Sequence, residues 1–148
     1  MTSQSDDTRT SALWSMLFGA WMIALLSTLS ALFIGEVMGQ APCVLCWFQR
    51  AFMFPLAVIL LVAALRTDAE VWRYALPLAV AGWFIAAFHT LQYAGVIPKA
   101  LEPCSDTGPS CSGAAMTILG GIPIPLLALG AFTAIIVLLT LIRRRLSS

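Results

Sequence analysis

Cys43 and Cys46 stand in the stretch PCVLCWFQR, and Arg50 follows four residues after the second cysteine. A Cys-x-x-Cys pair suits two chemistries: thiol–disulfide exchange through a thiolate of lowered pKa, and metal ligation. Two further cysteines, Cys104 and Cys111, have six residues between them in a later polar stretch, EPCSDTGPSC. Four cysteines invite a zinc reading, although the 104–111 spacing is not that of a usual second knuckle. Two inert structural disulfides are the other plain reading. Closing the Cys104–Cys111 loop would stabilise the chain by roughly 2–3 kcal/mol through lost chain entropy. A Cys43–Cys46 bridge closes almost nothing, so the tight pair points to redox work instead.

A helix opening near Cys43 would place Cys46 and Arg50 at i and i+4, on one face. The unpaired N–H groups and dipole of a helix N-terminus favour an anion, and a guanidinium one turn deeper adds a full positive charge. Both favour Cys46 as thiolate. The competing reading is that Arg50 snorkels to lipid headgroups. His89 is the single histidine in the chain, and Gln49 and Gln92 are expected at a similar depth. Polar groups inside a membrane segment are functional candidates by default, while a histidine satisfied by a backbone carbonyl is the bland alternative. A thiolate, an arginine and a histidine at one level would suit the polar head of a lipid-soluble electron carrier. A quinone fits, because its carbonyls accept hydrogen bonds.

These residues need elements to hold them. The chain has 148 residues, of which 60% are hydrophobic and 10% charged, too few charges for a small soluble domain. Four runs are long enough to cross a bilayer: 13–34, 47–65, 74–97 and 122–142. The first is too long for a signal-peptide core and reads as an uncleaved helix. Residues 1–12 are polar and are expected to be disordered or interfacial. Thr67 and Glu70 fit a capping box opening the third helix, with Pro77 in its first turn or so. Outer redox loops are expected over 35–46 and 98–121, and the apolar AAMTILGG within the second is expected to lie against the membrane surface.

Net charge is +1, which points to no nucleic-acid partner. Of the eight basic residues, six (Arg9, Arg66, Arg73 and Arg143 to Arg145) fall on the side of the termini. By the positive-inside rule both termini face the cytoplasm. All four cysteines then fall outside, where disulfides persist. Trp14 and Trp72 mark the cytoplasmic edge and Trp47 and Tyr93 the outer edge, while Trp21 and Trp83 lie deeper as packing residues.

Taken together, CVLCWFQR at a helix mouth, HTLQ near the end of the third run, the second cysteine pair, and IPIPLLALGAF opening the fourth run resemble the DsbB family of quinone-dependent disulfide-generating membrane proteins. The short CSDTGPSC loop is more similar to the BdbC-like branch; the best-known branch has a longer spacing with a membrane-lying helix. The resemblance implies a four-helix bundle that reoxidises a DsbA-like, thioredoxin-fold oxidase and passes electrons to ubiquinone or menaquinone. It implies that Cys104 is attacked by the partner, that Cys111 is its mate and then attacks Cys43, and that Cys46 faces the quinone. Arg50 would contact the quinone, and His89 matches a histidine near the same site. Gln49, by its depth, is a further candidate for the cofactor, and no metal is expected.

The expected fold is therefore all-α: one polytopic membrane domain over residues 1–148, a four-transmembrane-helix bundle. The expected activity is that of a thiol:quinone oxidoreductase of a bacterial inner membrane. Two rivals are a vitamin K epoxide reductase-like protein and a small multidrug-type transporter with structural disulfides. The transporter needs an acidic residue deep in a helix, and the one candidate, Glu36, lies at a helix end.

Overall fold

The computed structural model describes residues 2–97, 117–118 and 121–147. It is built on four helices: α1 (Thr2–Leu32), α2 (Val44–Arg66), α3 (Trp72–Tyr93) and α4 (Ile124–Ser147). All four are long and apolar enough to cross a membrane. α1 packs on α2 and α4, and α3 packs on α2 and α4, so the bundle closes as a square. Short connections return α2 alongside α1 and α3 alongside α2.

The buried side chains follow the helical period. On α1 they are Leu13, Leu17, Ala20 and Ala24, and on α4 they are Phe132, Ile135, Leu139 and Ile142. The buried stripe of α3 is made of small residues, Ala75, Ala79, Gly82 and Ala86, and continues into His89 and Gln92. Lipid offers little hydrophobic drive between helices, so association rests on close packing of such faces. Gly82 shows how close it is: a Cβ there would come within 2.3 Å of the Phe132 ring. The same stripe that seats α3 on its neighbours thus carries His89 into the protein interior.

The helix ends differ in part from expectation. α1 begins at Thr2, so the polar residues before Leu13 continue the helix. Extending a nucleated helix costs little per residue, and the Arg9 guanidinium donates to the Arg145 carbonyl, tying the start of α1 to the end of α4. At its other end α1 widens into a π turn, Phe33–Val37. α2 ends at Arg66, and Thr67 caps it at φ 53°. Thr67 is therefore not the cap of the next helix. Asp68 takes that role, its carboxylate accepting from the Glu70 N–H at 3.0 Å, and opens a 3-10 turn (Ala69–Val71) that leads into α3. That turn puts Pro77 inside α3 and not in its first turn. α3 stops at Tyr93, four residues before the apolar run does, because Gly95 takes φ 74° just beyond it. Within AAMTILGG, Thr117–Ile118 form a short strand, β1, paired antiparallel with β2 (Ile122–Pro123), Thr117 opposite Pro123. This two-residue ladder is the one departure from all-α among the described residues.

Arg66, Arg73 and Arg143 gather at one end of the bundle. Arg73 and Arg143 lie over the Trp72 ring at 5.8 and 5.0 Å, and Arg73 pairs with Glu70 at 2.6 Å. Trp14 belongs to the same end, its indole N–H donating to the Ala64 carbonyl at 3.1 Å. Cys43 and Cys46 begin α2, and so stand at the opposite end from Arg66, which closes it.

Candidate functional site

Cys43 is the N-cap of α2, in the extended conformation at φ −69° and ψ 169°. Ser, Thr, Asp or Asn usually fills this position, offering a side-chain oxygen to the first free N–H groups. Here the Cys43 Sγ does so, accepting from the Cys46 N–H at 3.4 Å. The Cys43 and Cys46 sulfurs lie 3.2 Å apart and share a hydrogen bond. Cys43 is buried, at 1% exposure, whereas Cys46 is half-buried.

His89 is fully buried and faces Cys43 across from α3: its Nε2 is 3.9 Å from Cys43 Sγ. Its Nδ1 lies 3.0 Å from Gln49 Nε2. An amide N–H donated to Nδ1 leaves the ring proton on Nε2, aimed at the sulfur. The histidine is thus held by two side chains and not by a backbone carbonyl. The Cys43 thiol is drawn down to about 4, chiefly by the hydrogen bond with Cys46, against burial, and aided by His89 and the Cys46 N–H. The helix-terminus stabilisation that sequence reasoning assigned to Cys46 falls on Cys43, because Cys43 is the capping residue.

Arg50 is one turn further along α2. Its guanidinium reaches across to α1, where Nη2 donates to the Ala31 carbonyl at 2.6 Å, and it lies over the Trp47 ring at 5.6 Å. Cys46, Gln49 and Arg50 line one cavity of about 520 Å³. Its other walls are mostly apolar and come from α1, the π turn after it, α2 and α4, among them Leu26, Ile34, Phe54, Leu127 and Phe132. Gln49 therefore connects two places: it lines the cavity and it touches His89. Gln92, 2% exposed, has neither amide atom hydrogen-bonded, so it does not join this network. Cys104 and Cys111 lie outside the described residues.

The donor atoms of Cys43, Cys46 and His89 all fall within 4.8 Å of one another, a set that three-coordinate binding of a thiophilic metal could use. The same closeness suits a dithiol–disulfide couple, in which two sulfurs must bond to each other. Sequence reasoning missed the Ala31 carbonyl, Gly35 and Phe132. A backbone carbonyl, a glycine and a phenylalanine in apolar runs give no signal until the helices are placed.

A bundle of four membrane-length helices with a Cys-x-x-Cys pair at one end has the outline of a membrane disulfide oxidoreductase. Comparison with known proteins makes this specific. The family model for the disulfide bond formation protein DsbB matches residues 11–142. A probable disulfide formation protein of Metapseudomonas resinovorans is 66% identical over 132 residues, covering 89% of this chain and 92% of the relative. Disulfide bond formation protein C of Bacillus subtilis is 39% identical over 127 residues, 86% of this chain and 91% of the relative. A probable disulfide formation protein of Deinococcus radiodurans is 39% identical over 136 residues, 87% and 89% of the two chains. No solved structure matches. The chain belongs to the DsbB family of disulfide bond formation proteins, with similarity to the Bacillus subtilis protein C branch.

Proposed function

We propose that the protein is a thiol:quinone oxidoreductase that regenerates a soluble, DsbA-like thioredoxin-fold oxidase and delivers two electrons to ubiquinone or menaquinone in a bacterial inner membrane. The observation that carries this reading is the shared address of Cys46, Gln49 and Arg50 on one largely apolar cavity. Its volume, about 520 Å³, lies within the roughly 300–1,000 Å³ usual for small-molecule sites. The residues fit a quinone: the Arg50 and Gln49 N–H groups suit its carbonyls, and Leu26, Ile34 and Leu127 suit its apolar parts. When bound, the quinone supplies the oxidising power by taking up two electrons and two protons.

The cysteines carry the rest by exchange. The partner's thiolate forms a bond to Cys104 as Cys104–Cys111 breaks. The Cys111 thiolate then forms a bond to Cys43 as Cys43–Cys46 breaks, and Cys46 leaves as a thiolate facing the cavity. The partner's second thiol displaces Cys104, which completes the partner's disulfide. Cys104 then forms a bond to Cys111 as Cys111–Cys43 breaks, which leaves Cys43 and Cys46 as the reduced pair; that pair would close again to a disulfide as its two electrons and two protons go to the quinone. Partner dithiol and quinone are consumed; partner disulfide and quinol are formed. While Cys43 is bonded to Cys111, Cys46 keeps its place in the first turn of α2, where helix N–H groups favour the anion. Arg50 adds positive charge to the same cavity wall. Both termini and the Arg-rich bundle end are assigned to the cytoplasm, and the cysteines to the periplasmic side.

The test is steady-state kinetics of purified protein with reduced thioredoxin-like oxidase and quinone varied separately. Arg50→Ala should weaken quinone use by about ten- to a hundredfold, the worth of one charged hydrogen bond, and leave the partner's KM near wild type. Arg50→Lys should recover only part, since lysine keeps the charge but loses the planar fork. An unchanged quinone dependence in Arg50→Ala would remove the cavity from the mechanism.

A further inference from the structure

Among the described residues, Arg50 is the one long, flexible side chain with a permanent charge at the cavity, and something must fix where that charge points. A guanidinium on a flexible stem loses rotamer freedom when it is positioned, so a pre-formed seat lowers the cost of each contact it makes. α1 supplies two features beside it. The first is the Ala31 carbonyl, which accepts from Arg50 Nη2 at 2.6 Å. Ala31 lies in the last turn of α1, just before the helix changes to the wider π turn at Phe33–Val37. At such a change of register the carbonyls of the last α-helical turn lose regular partners and become available to side chains.

The second feature is Gly35, inside the π turn. A Cβ built on Gly35 would lie 3.0 Å from Arg50 Nη2, 3.2 Å from Nη1 and 3.6 Å from Cζ. The whole guanidinium plane therefore lies against this glycine. Gly35 does not need to be glycine for its backbone: among the described glycines, positive φ is confined to Gly39, Gly95 and Gly121. Its backbone would accept alanine, so what a side chain at 35 meets is the guanidinium itself, which would have to give by a few tenths of an ångström. Trp47 closes another side, with the guanidinium carbon 5.6 Å from its ring centroid.

We propose that Gly35 and the π turn form a seat for Arg50, making Gly35 a positioning residue for binding at the cavity. This inference rests on the quinone reading of that cavity. A side chain at 35 would push the guanidinium off the Ala31 carbonyl and out of register with a bound carbonyl group. The charge would remain in the protein, but its direction would be lost.

The experiment measures equilibrium binding of a water-soluble short-chain quinone, by quenching of tryptophan fluorescence, alongside quinone and partner KM values. The variants are Gly35→Ala, Gly35→Val, Arg50→Ala and Gly35→Val with Arg50→Ala. Gly35→Val should weaken quinone binding about tenfold, approaching Arg50→Ala, and Gly35→Ala by a smaller factor in the same direction. The partner's KM should not move. The double variant should bind no worse than Arg50→Ala alone, because the glycine acts through the arginine. A residue with only a structural role would give a different pattern: alanine in place of a helical glycine raises thermal stability and leaves binding alone. Should Gly35→Val fail to fold, Gly35→Ala carries the comparison, because its backbone fits. If Arg50→Ala loses quinone and both Gly35 variants retain wild-type affinity, the seat is wrong and the quinone reading stands. Further loss in the double variant also overturns the seat. If Arg50→Ala itself retains wild-type affinity, the quinone reading fails, and the seat with it.

Discussion

His89 has two ring nitrogens with different neighbours, and that decides what it serves. Nε2 faces Cys43 at 3.9 Å and Nδ1 meets Gln49 at 3.0 Å, so the ring bears on the sulfur and reaches the cavity only through Gln49. His89→Ala should therefore slow exchange at Cys43, by about tenfold for one lost hydrogen bond to a charged sulfur, more than it weakens quinone binding. Stopped-flow exchange and quinone titration separate the two, and a defect confined to quinone affinity would return His89 to the cavity. The capping position of Cys43 has a pH consequence. Its thiol is lowered from an ordinary 9.0 to about 4. A lowered folded-state value stabilises the reduced protein above the ordinary value, and that contribution is lost as pH falls through the lowered one. Thermal melts of the reduced protein should thus show its advantage over Cys43→Ser shrinking from pH 9.0 toward 4. An advantage that does not vary with pH would mean the thiolate is not on Cys43.

At the scale of elements, the contact between α3 and α4 sets where His89 stands. Gly82 admits the Phe132 ring, and Phe132 is both fully buried and part of the cavity wall. Gly82→Ala places a methyl into that ring and should destabilise the bundle by about 1–3 kcal/mol, the usual cost of overpacking. It should also narrow the cavity. Thermal unfolding in detergent reads the first effect, and Gly82→Ala with Phe132→Leu should recover part of it; no recovery would mean that the strain lies elsewhere. The helix runs themselves were legible, because long uncharged apolar stretches have few other solutions. Their ends were less so. Asp68 caps the 3-10 turn instead of Thr67, since Thr67 had already been taken to end α2 with positive φ.

At the scale of the whole molecule, the basic end around Trp72 and the cysteine end lie at opposite poles of the bundle. Reporter fusions after Thr67 and Ser147 should be cytoplasmic, and fusions after Gln40 and Asp106 should be outside. A cytoplasmic signal from Asp106 would overturn the orientation and, with it, the oxidising environment the chemistry needs. The cysteine order makes a second demand on the whole chain. Mixed with the oxidised partner, Cys111→Ser should accumulate protein linked to it through Cys104, a bond formed as the partner's own disulfide breaks, because Cys111 is no longer there to take Cys104 back. Mass mapping that found the partner on Cys46 would reverse the assigned division of labour.

The sequence by itself determined the membrane class, the four spans, the placing of Cys43 and Cys46 at the start of one helix, and the resemblance that the family comparison bears out. Those properties rest on local pattern: run length, charge placement and the spacing of reactive residues along one chain. It also put Cys46, Gln49 and Arg50 within one turn of a single helix, because i to i+4 spacing is local geometry. Only the tertiary structure decided that Cys43 is the capping sulfur, that His89 meets it from α3, and that Arg50 turns to the Ala31 carbonyl beside Gly35. Each of these joins residues on different helices, or depends on the residue at which a helix starts. Such contacts are fixed by how small and large faces pack across the bundle, and no periodicity within one run contains that information.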